Sequence, residues 1–405
     1  MNRFFYISGY YPPLNYTGSI RPYKICKYIR SHGWDPLVLS IDPNSSGVKS
    51  DFSVDDLSDV QQEVVPLSSP GMINDFGVRW YKNLLKAIEK HQLHRGVDAV
   101  LISGSPFYSF KIGYELNKRY GIPYILDYRD LWAGDPYPAR TFKDKVFRLY
   151  ARYEESRLLK KAFCSTYVSE HMRLDQLGLY PSIPSDRLKV VSTGYDPEDF
   201  FHDQALPETV LELKRQGITI ISHIGTLDPY MSEVDLVMIV KRASQVEEGL
   251  EKKIKILLIG RDNGRVVQLA KEQGIAGLFM DLGFLGKNDA QAYMFHSDVL
   301  LILASSHPQR LNRKIFEYLA SKTPVLFYGH PMGAGAAVLN KVGGGWVLDA
   351  RHPEKFKDLL IDLCKHNAPF FPELDMEKLK DYSHPHLAGE FANLMNAAKE
   401  FGVMR

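Results

Sequence analysis

Segments that read as short apolar strands alternate with segments of helical period from one end of this chain to the other. That alternation restricts the fold to parallel sheets covered by helices on both faces. Residues 3–7 read as a strand, 21–31 as a helix with Pro22 in its first turn and Gly33 closing it, and 36–41 as the next strand. Between 42 and 77 the composition shifts to Ser, Asp, Pro and Gly, interrupted only by Val64-Val65, and mostly loop is expected. The rhythm resumes with a helix over 78–94, a strand over 99–103, a helix over 107–120 ended by Gly121 and a strand over 123–126. A basic helix over 142–161 and strands over 163–168 and 188–192 complete the first half. Past a segment poor in apolar residues, 196–207, strands are expected at 218–224, 254–259, 277–282, 299–303, 324–328 and 346–348.

The chain has 405 residues, and at about 100–200 residues per domain this suggests two domains. The reading is α/β: two Rossmann-like, doubly wound domains facing each other across a cleft, the first over 1–200 and the second over 201–385. The C-terminal helix, 386–405, is expected to complete the first domain. Hydrophobic residues at 45 % and charged residues at 24 % disfavour disorder and a membrane-spanning protein. With 50 basic and 48 acidic side chains there is no global field to attract nucleic acid. Cys26, Cys164 and Cys364 lie far apart, which argues against a disulfide framework or a zinc site. The N-terminal apolar run is too short for a signal peptide, so a cytoplasmic location is expected.

Three constellations stand at strand ends, where α/β sheets place ligands. The first, Tyr11-Pro12-Pro13 to Gly18-Ser19, lies between a strand and its helix, where a glycine lets a ligand approach the backbone; an ordinary loop is the plainer reading. The second is Asp127-Tyr128-Arg129-Asp130-Leu131-Trp132, whose charges suit a phosphate, carboxylate or hydroxyl, or else a structural Arg–Asp pair. The third, Arg310 to Leu326, puts Lys314 and Glu317 on one helical face. A carboxylate there can accept from two ribose hydroxyls beside a cation suited to phosphate; the alternative is an intrahelical ion pair.

The order of Tyr11-Pro12-Pro13 with Gly18-Ser19-Ile20-Arg21, then Gly121-Ile122-Pro123-Tyr124-Ile125-Leu126-Asp127-Tyr128-Arg129-Asp130-Leu131-Trp132, then Thr193-Gly194-Tyr195-Asp196, then Lys314-Ile315-Phe316-Glu317-Tyr318-Leu319-Ala320, resembles glycosyltransferase family 4 over nearly the whole chain. The resemblance implies a GT-B fold and a retaining, metal-independent transfer of sugar from a nucleotide diphosphate to a hydroxyl of a glycan or lipid-linked glycan. The nucleotide sugar is then a co-substrate, with no cofactor. Carried over by position, it puts Gly18 and Ser19 near the donor diphosphate, Gly225 and Thr226 against it from the second domain, Phe284 and its loop against the base, and Glu317 on the ribose. Arg129 and Asp130 would act at the reacting centre.

The departures concern charge. Where many relatives have an Arg and a Lys gripping the diphosphate, this chain has Thr226 and Ser232, and the first of two glutamates eight apart is Gln309. Arg129 stands where relatives often have a His. Arg261, Arg310, Arg313 and Lys314 are the candidates to supply the missing charge. A non-catalytic nucleotide-binding or scaffold protein, and a nucleotide-sugar 2-epimerase, stay open as alternatives. Gly333-Ala334-Gly335 begins like a dinucleotide fingerprint but lacks its third glycine. His223, His307 and His330 read as loop residues. The basic aromatic helix over 142–152 suits either peripheral contact with anionic lipid or a plainly solvated face.

Overall fold

The computed structural model describes residues 1–14, 16–47, 60–70, 75–135, 141–200, 204–227, 233–304, 307–366 and 369–403. Ser232 lies outside them. The chain divides into two compact units, Met1–Thr193 together with Ser383–Arg405, and Gly194–Tyr382.

The first unit is built on seven parallel strands: β1 (Asn2–Ser8), β2 (Trp34–Ile41), β3 (Gln61–Val65), β4 (Ala99–Gly104), β5 (Tyr124–Tyr128), β6 (Cys164–Tyr167) and β7 (Leu188–Val190). Their order is β3-β2-β1-β4-β5-β6-β7. The second has six: β8 (Thr219–Ile224), β9 (Ile254–Ile259), β10 (Phe279–Gly283), β11 (Val299–Leu303), β12 (Val325–Gly329) and β13 (Gly345–Asp349), in the order β10-β9-β8-β11-β12-β13. Central strands such as β1 and β11 are apolar because helices cover both faces of a parallel sheet. In each sheet the winding reverses once, between β1 and β4 and between β8 and β11, and such reversals leave a crevice at the carboxyl ends of the strands.

In the first unit, two sequence expectations about strands needed correction. Within the stretch read as mostly loop, β3 pairs in parallel with β2, Leu37 opposite Gln61 through Ile41 opposite Val65. It is an edge strand with one buried residue, so its apolar signal is limited to Val64-Val65; Gln62 instead donates from Nε2 to Ser40 Oγ (2.8 Å) and the Pro12 carbonyl (3.1 Å). The second correction concerns β5, which continues to Asp127 and Tyr128, both of them buried.

The terminal helix (His384–Val403) belongs to the first unit. Leu387, Phe391, Met395 and Ala398 recur at helical spacing and bury against Tyr6, Ile25, Ile29 and Leu101, each large side chain contributing about 1.5–3 kcal/mol of transfer free energy. Trp34 Nε1 donates to Asn396 Oδ1 at 3.0 Å and fixes the register.

Candidate functional site

In the second unit the expected residues gather where β8, β9 and β10 end. Gly225 follows β8 with φ of +140°, a conformation that penalises any side chain. A Cβ built there would meet only Lys314 Cε, at 3.8 Å, so the bare backbone faces that side chain. Gly260, at the end of β9, is more constrained: its Cβ would lie 2.2 Å from the Gly225 carbonyl oxygen. Tyr318 clamps the end of β8, its hydroxyl accepting from the Ile224 amide (2.8 Å) and donating to the Ile224 carbonyl (3.1 Å).

Lys314 opens a short helix (Lys314–Ala320), where its amide is capped by Asn312 Oδ1 at 3.0 Å. Its Nζ lies 3.0 Å from Glu317 Oε2, and Arg313 Nη1 donates to Glu317 Oε1. Burial alone would raise the Glu317 pKa, but the charges of Arg313 and Lys314 and their hydrogen bonds outweigh it and bring it down to about 2. The result is a permanent carboxylate between two cations, with 17 % of its side chain still exposed.

His223 is a correction to the sequence reading. It belongs to β8, not to a loop, and is buried. Because Leu301 O can only accept, the 3.1 Å contact assigns the ring proton to Nδ1 and leaves the lone pair on Nε2. Nε2 has no hydrogen-bond partner among the described residues. Burial lowers the pKa to about 4, the Leu301 bond opposes and nearby Lys314 adds to the fall, so the ring is neutral at neutral pH. Arg261 stacks on the exposed Phe284 ring at 4.6 Å, joining the ends of β9 and β10. Asp281 holds that edge by accepting from the Gly283 amide (3.0 Å) and Asn263 Nδ2 (2.9 Å). Thr226 and Arg310 are both exposed, Thr226 just past Gly225 and Arg310 ahead of the helix. Gly335, from the abortive fingerprint, packs against the Phe327 ring, where a Cβ would come within 2.4 Å.

In the first unit, Asp127 is fully buried and accepts four hydrogen bonds: from Arg21 Nε and Nη2 (both 3.0 Å), Ser103 Oγ (3.1 Å) and Thr166 Oγ1 (2.8 Å). Arg21 also donates to the carbonyls of Ser192 and Val191. The structural ion pair at this motif is therefore Arg21–Asp127. Arg129, at the end of β5, donates from Nε to Gly104 O (2.7 Å), from Nη1 to Gly18 O (2.5 Å) and from Nη2 to Ser105 O (3.0 Å). It ties the start of the helix after β1 to the end of β4 at the reversal of the sheet, and burial lowers its pKa. Ser19 is buried with its hydroxyl on Leu14 O at 2.8 Å, while Asp130 is exposed beside Arg129.

Next to this clamp is a cavity of about 260 Å³ lined by Asp75, Tyr108, Trp132, Asp135, Phe147 and Arg148 among others. Phe107 and Trp132 stack at 5.9 Å along its wall. The sequence reading missed Gly260, a glycine ending an apolar run; Arg21 and Tyr318 stood in the motifs that carry the resemblance, but no role was assigned to either.

No protein-family model matches the chain, and no curated protein does. Solved structures do. A glycosyltransferase from Rickettsia africae superposes with a TM-score of 0.65 at 18 % identity, covering 98 % of each chain. HepE from Anabaena, solved with UDP and glucose, gives 0.64 at 13 % identity over 100 % of this chain and 99 % of that one. WaaB, a lipopolysaccharide outer core galactosyltransferase, gives 0.64 at 12 % identity over 98 % and 99 %. The fold is therefore the α/β fold of the GT-B glycosyltransferases.

Proposed function

We propose that this protein is a glycosyltransferase that moves a sugar from a nucleotide diphosphate to a hydroxyl of a glycan or lipid-linked glycan, with retention and without a metal. The observation that carries the reading is Glu317, a permanent carboxylate held by Arg313 and Lys314 beside the side-chain-free backbone of Gly225. A carboxylate accepts from the adjacent hydroxyls of a ribose, and the flanking cations suit a diphosphate. HepE, which shares the fold, was solved with UDP and with UDP-glucose.

On this reading Lys314, Arg313, Arg310 and Arg261 stabilise the negative charge that builds on the departing diphosphate as the glycosidic bond weakens. That electrostatic role makes a divalent ion unnecessary to the proposal. Gly225 and Thr226 take the phosphates through their backbone, and Phe284 lies against the base. Arg129 fixes the loops around the acceptor, leaving Asp130 as the exposed group to orient a hydroxyl. A lipid-linked acceptor would bring a cytoplasmic chain to the inner face of a membrane.

The test is a thermal-shift screen against uridine, guanosine, adenosine and cytidine diphosphates, followed by incubation with the matching nucleotide sugars. A ligand at 100 times its dissociation constant adds about 2.7 kcal/mol to stability. A stabilising nucleotide and sugar transferred to an acceptor are expected; failure of all four to shift the melt removes the donor site.

A further inference from the structure

The helix Phe142–Lys161 has an apolar face left exposed among the described residues. Its inner side is fully employed: Ala151, Leu158 and Leu159 are buried in the core of the first unit. Glu155 is buried and accepts from Tyr180 Oη (2.7 Å), Gln176 Nε2 (3.0 Å) and the Ala133 amide (3.2 Å). Glu154 lies 2.8 Å from Arg157 and 3.5 Å from Lys111. Asp144 closes the helix start in a capping box with Thr141.

The outer side carries Phe142 (80 % exposed), Val146 (49 %), Leu149 (70 %) and Tyr153 (68 %). Their spacing of four, three and four places them in one line down the helix. Exposed Lys145 and Arg152 run along one flank, exposed Lys143 and Lys161 along the other, and Lys160 continues the line. All three carboxylates of the helix are Asp144, Glu154 and Glu155, so none stands on this outer face.

We propose that this face docks onto the surface of an anionic bilayer, with Phe142, Val146, Leu149 and Tyr153 entering the interface and the lysines and arginines meeting lipid head groups. The charge pattern selects that occupant. A second copy of the chain would bring basic flank against basic flank, whereas an anionic lipid surface offers negative charge and apolar depth together. The cavity beside the Arg129 clamp shares Phe147 and Arg148 with this helix. Resting on the proposed transfer, a bilayer bound here would bring a lipid-linked acceptor to that cavity's rim.

The docking is tested without any activity measurement, so its failure is separable from failure of the transferase reading. The whole protein is sedimented with vesicles of phosphatidylcholine alone and with vesicles containing a third phosphatidylglycerol. Binding at least tenfold stronger to the anionic vesicles, weakening with salt, is expected. Phe142→Ser with Leu149→Ser, and separately Lys145→Glu with Arg152→Glu, should each reduce it tenfold or more at unchanged melting temperature. Equal partition to both vesicle types, or binding retained in both double variants, overturns the proposal. So does concentration-dependent self-association in sedimentation velocity that the apolar variant abolishes, since the face then belongs to a second copy.

Discussion

Arg129 Nη1 donates to the carbonyl of Gly18, and a Cβ on Gly18 would fall 2.5 Å from that same nitrogen. The glycine at the start of the first helix (Thr17–Ile29) is thus required by an arginine 111 residues away. Gly18→Ala is expected to cost about 1–3 kcal/mol by displacing the guanidinium. Because both changes break one clamp, Gly18→Ala should cost less in an Arg129→Lys background, with a coupling of about 0.5–3 kcal/mol in a double-mutant cycle read by urea unfolding. Strict additivity would mean that Gly18 and Arg129 act separately.

Asp127→Ala should be far more damaging than any exposed carboxylate change. It leaves the Arg21 guanidinium buried without its counter-ion, and breaking a buried pair costs about 3–5 kcal/mol. Replacing both members, Arg21→Met with Asp127→Leu, should recover part of that loss. Expression yield and the denaturant midpoint are the readouts.

His223 sets an acid limb on the stability of the second unit. Its folded pKa, about 4, lies below the ordinary 6.5, so as pH falls the unfolded chain binds the proton first. The contribution is complete above about pH 6.5 and is lost as pH drops towards 4. His223→Gln should flatten that part of the profile, seen as a smaller change in unfolding midpoint between pH 7 and pH 4.5. An unchanged slope would show that the ring is solvated.

Glu317 acts in the same direction at lower pH. Its folded pKa of about 2 against an ordinary 4.5 gives a stabilisation on the order of 3 kcal/mol at neutral pH. That term disappears as pH falls from about 4.5 towards 2. The destabilisation caused by Glu317→Gln should therefore be largest at pH 7 and shrink below pH 4.

Lys314→Ala and Arg313→Ala should each weaken a nucleoside diphosphate by about 1.5–3 kcal/mol and the bare nucleoside by less, because the nucleoside loses only the positioning of Glu317 and has no charge to lose. Calorimetry with both ligands isolates the phosphate contribution. Arg310→Ala, at the exposed position ahead of the helix, ranks the third cation. Loss of discrimination in none of the three variants would move the phosphates elsewhere.

The alternation of apolar runs with helical period was enough to read two parallel α/β sheets, because covering both faces of a strand leaves no other pattern available. It was also enough to bring out the helix Phe142–Lys161, and Lys314 and Glu317 as a pair on one helical face, since three residues along a helix is a local distance. What residues do across the sheet was not legible. Arg21 and Asp127 are 106 positions apart, and Gly225 and Gly260 meet only because β8 and β9 pair in register. Nothing in the local sequence distinguished Arg129 as a cross-link between the segments that follow β1 and β4, or His223 as a buried neutral ring. Which polar groups a charge meets depends on the order in which strands stack, and that order comes from long-range packing; the tertiary structure alone decided it.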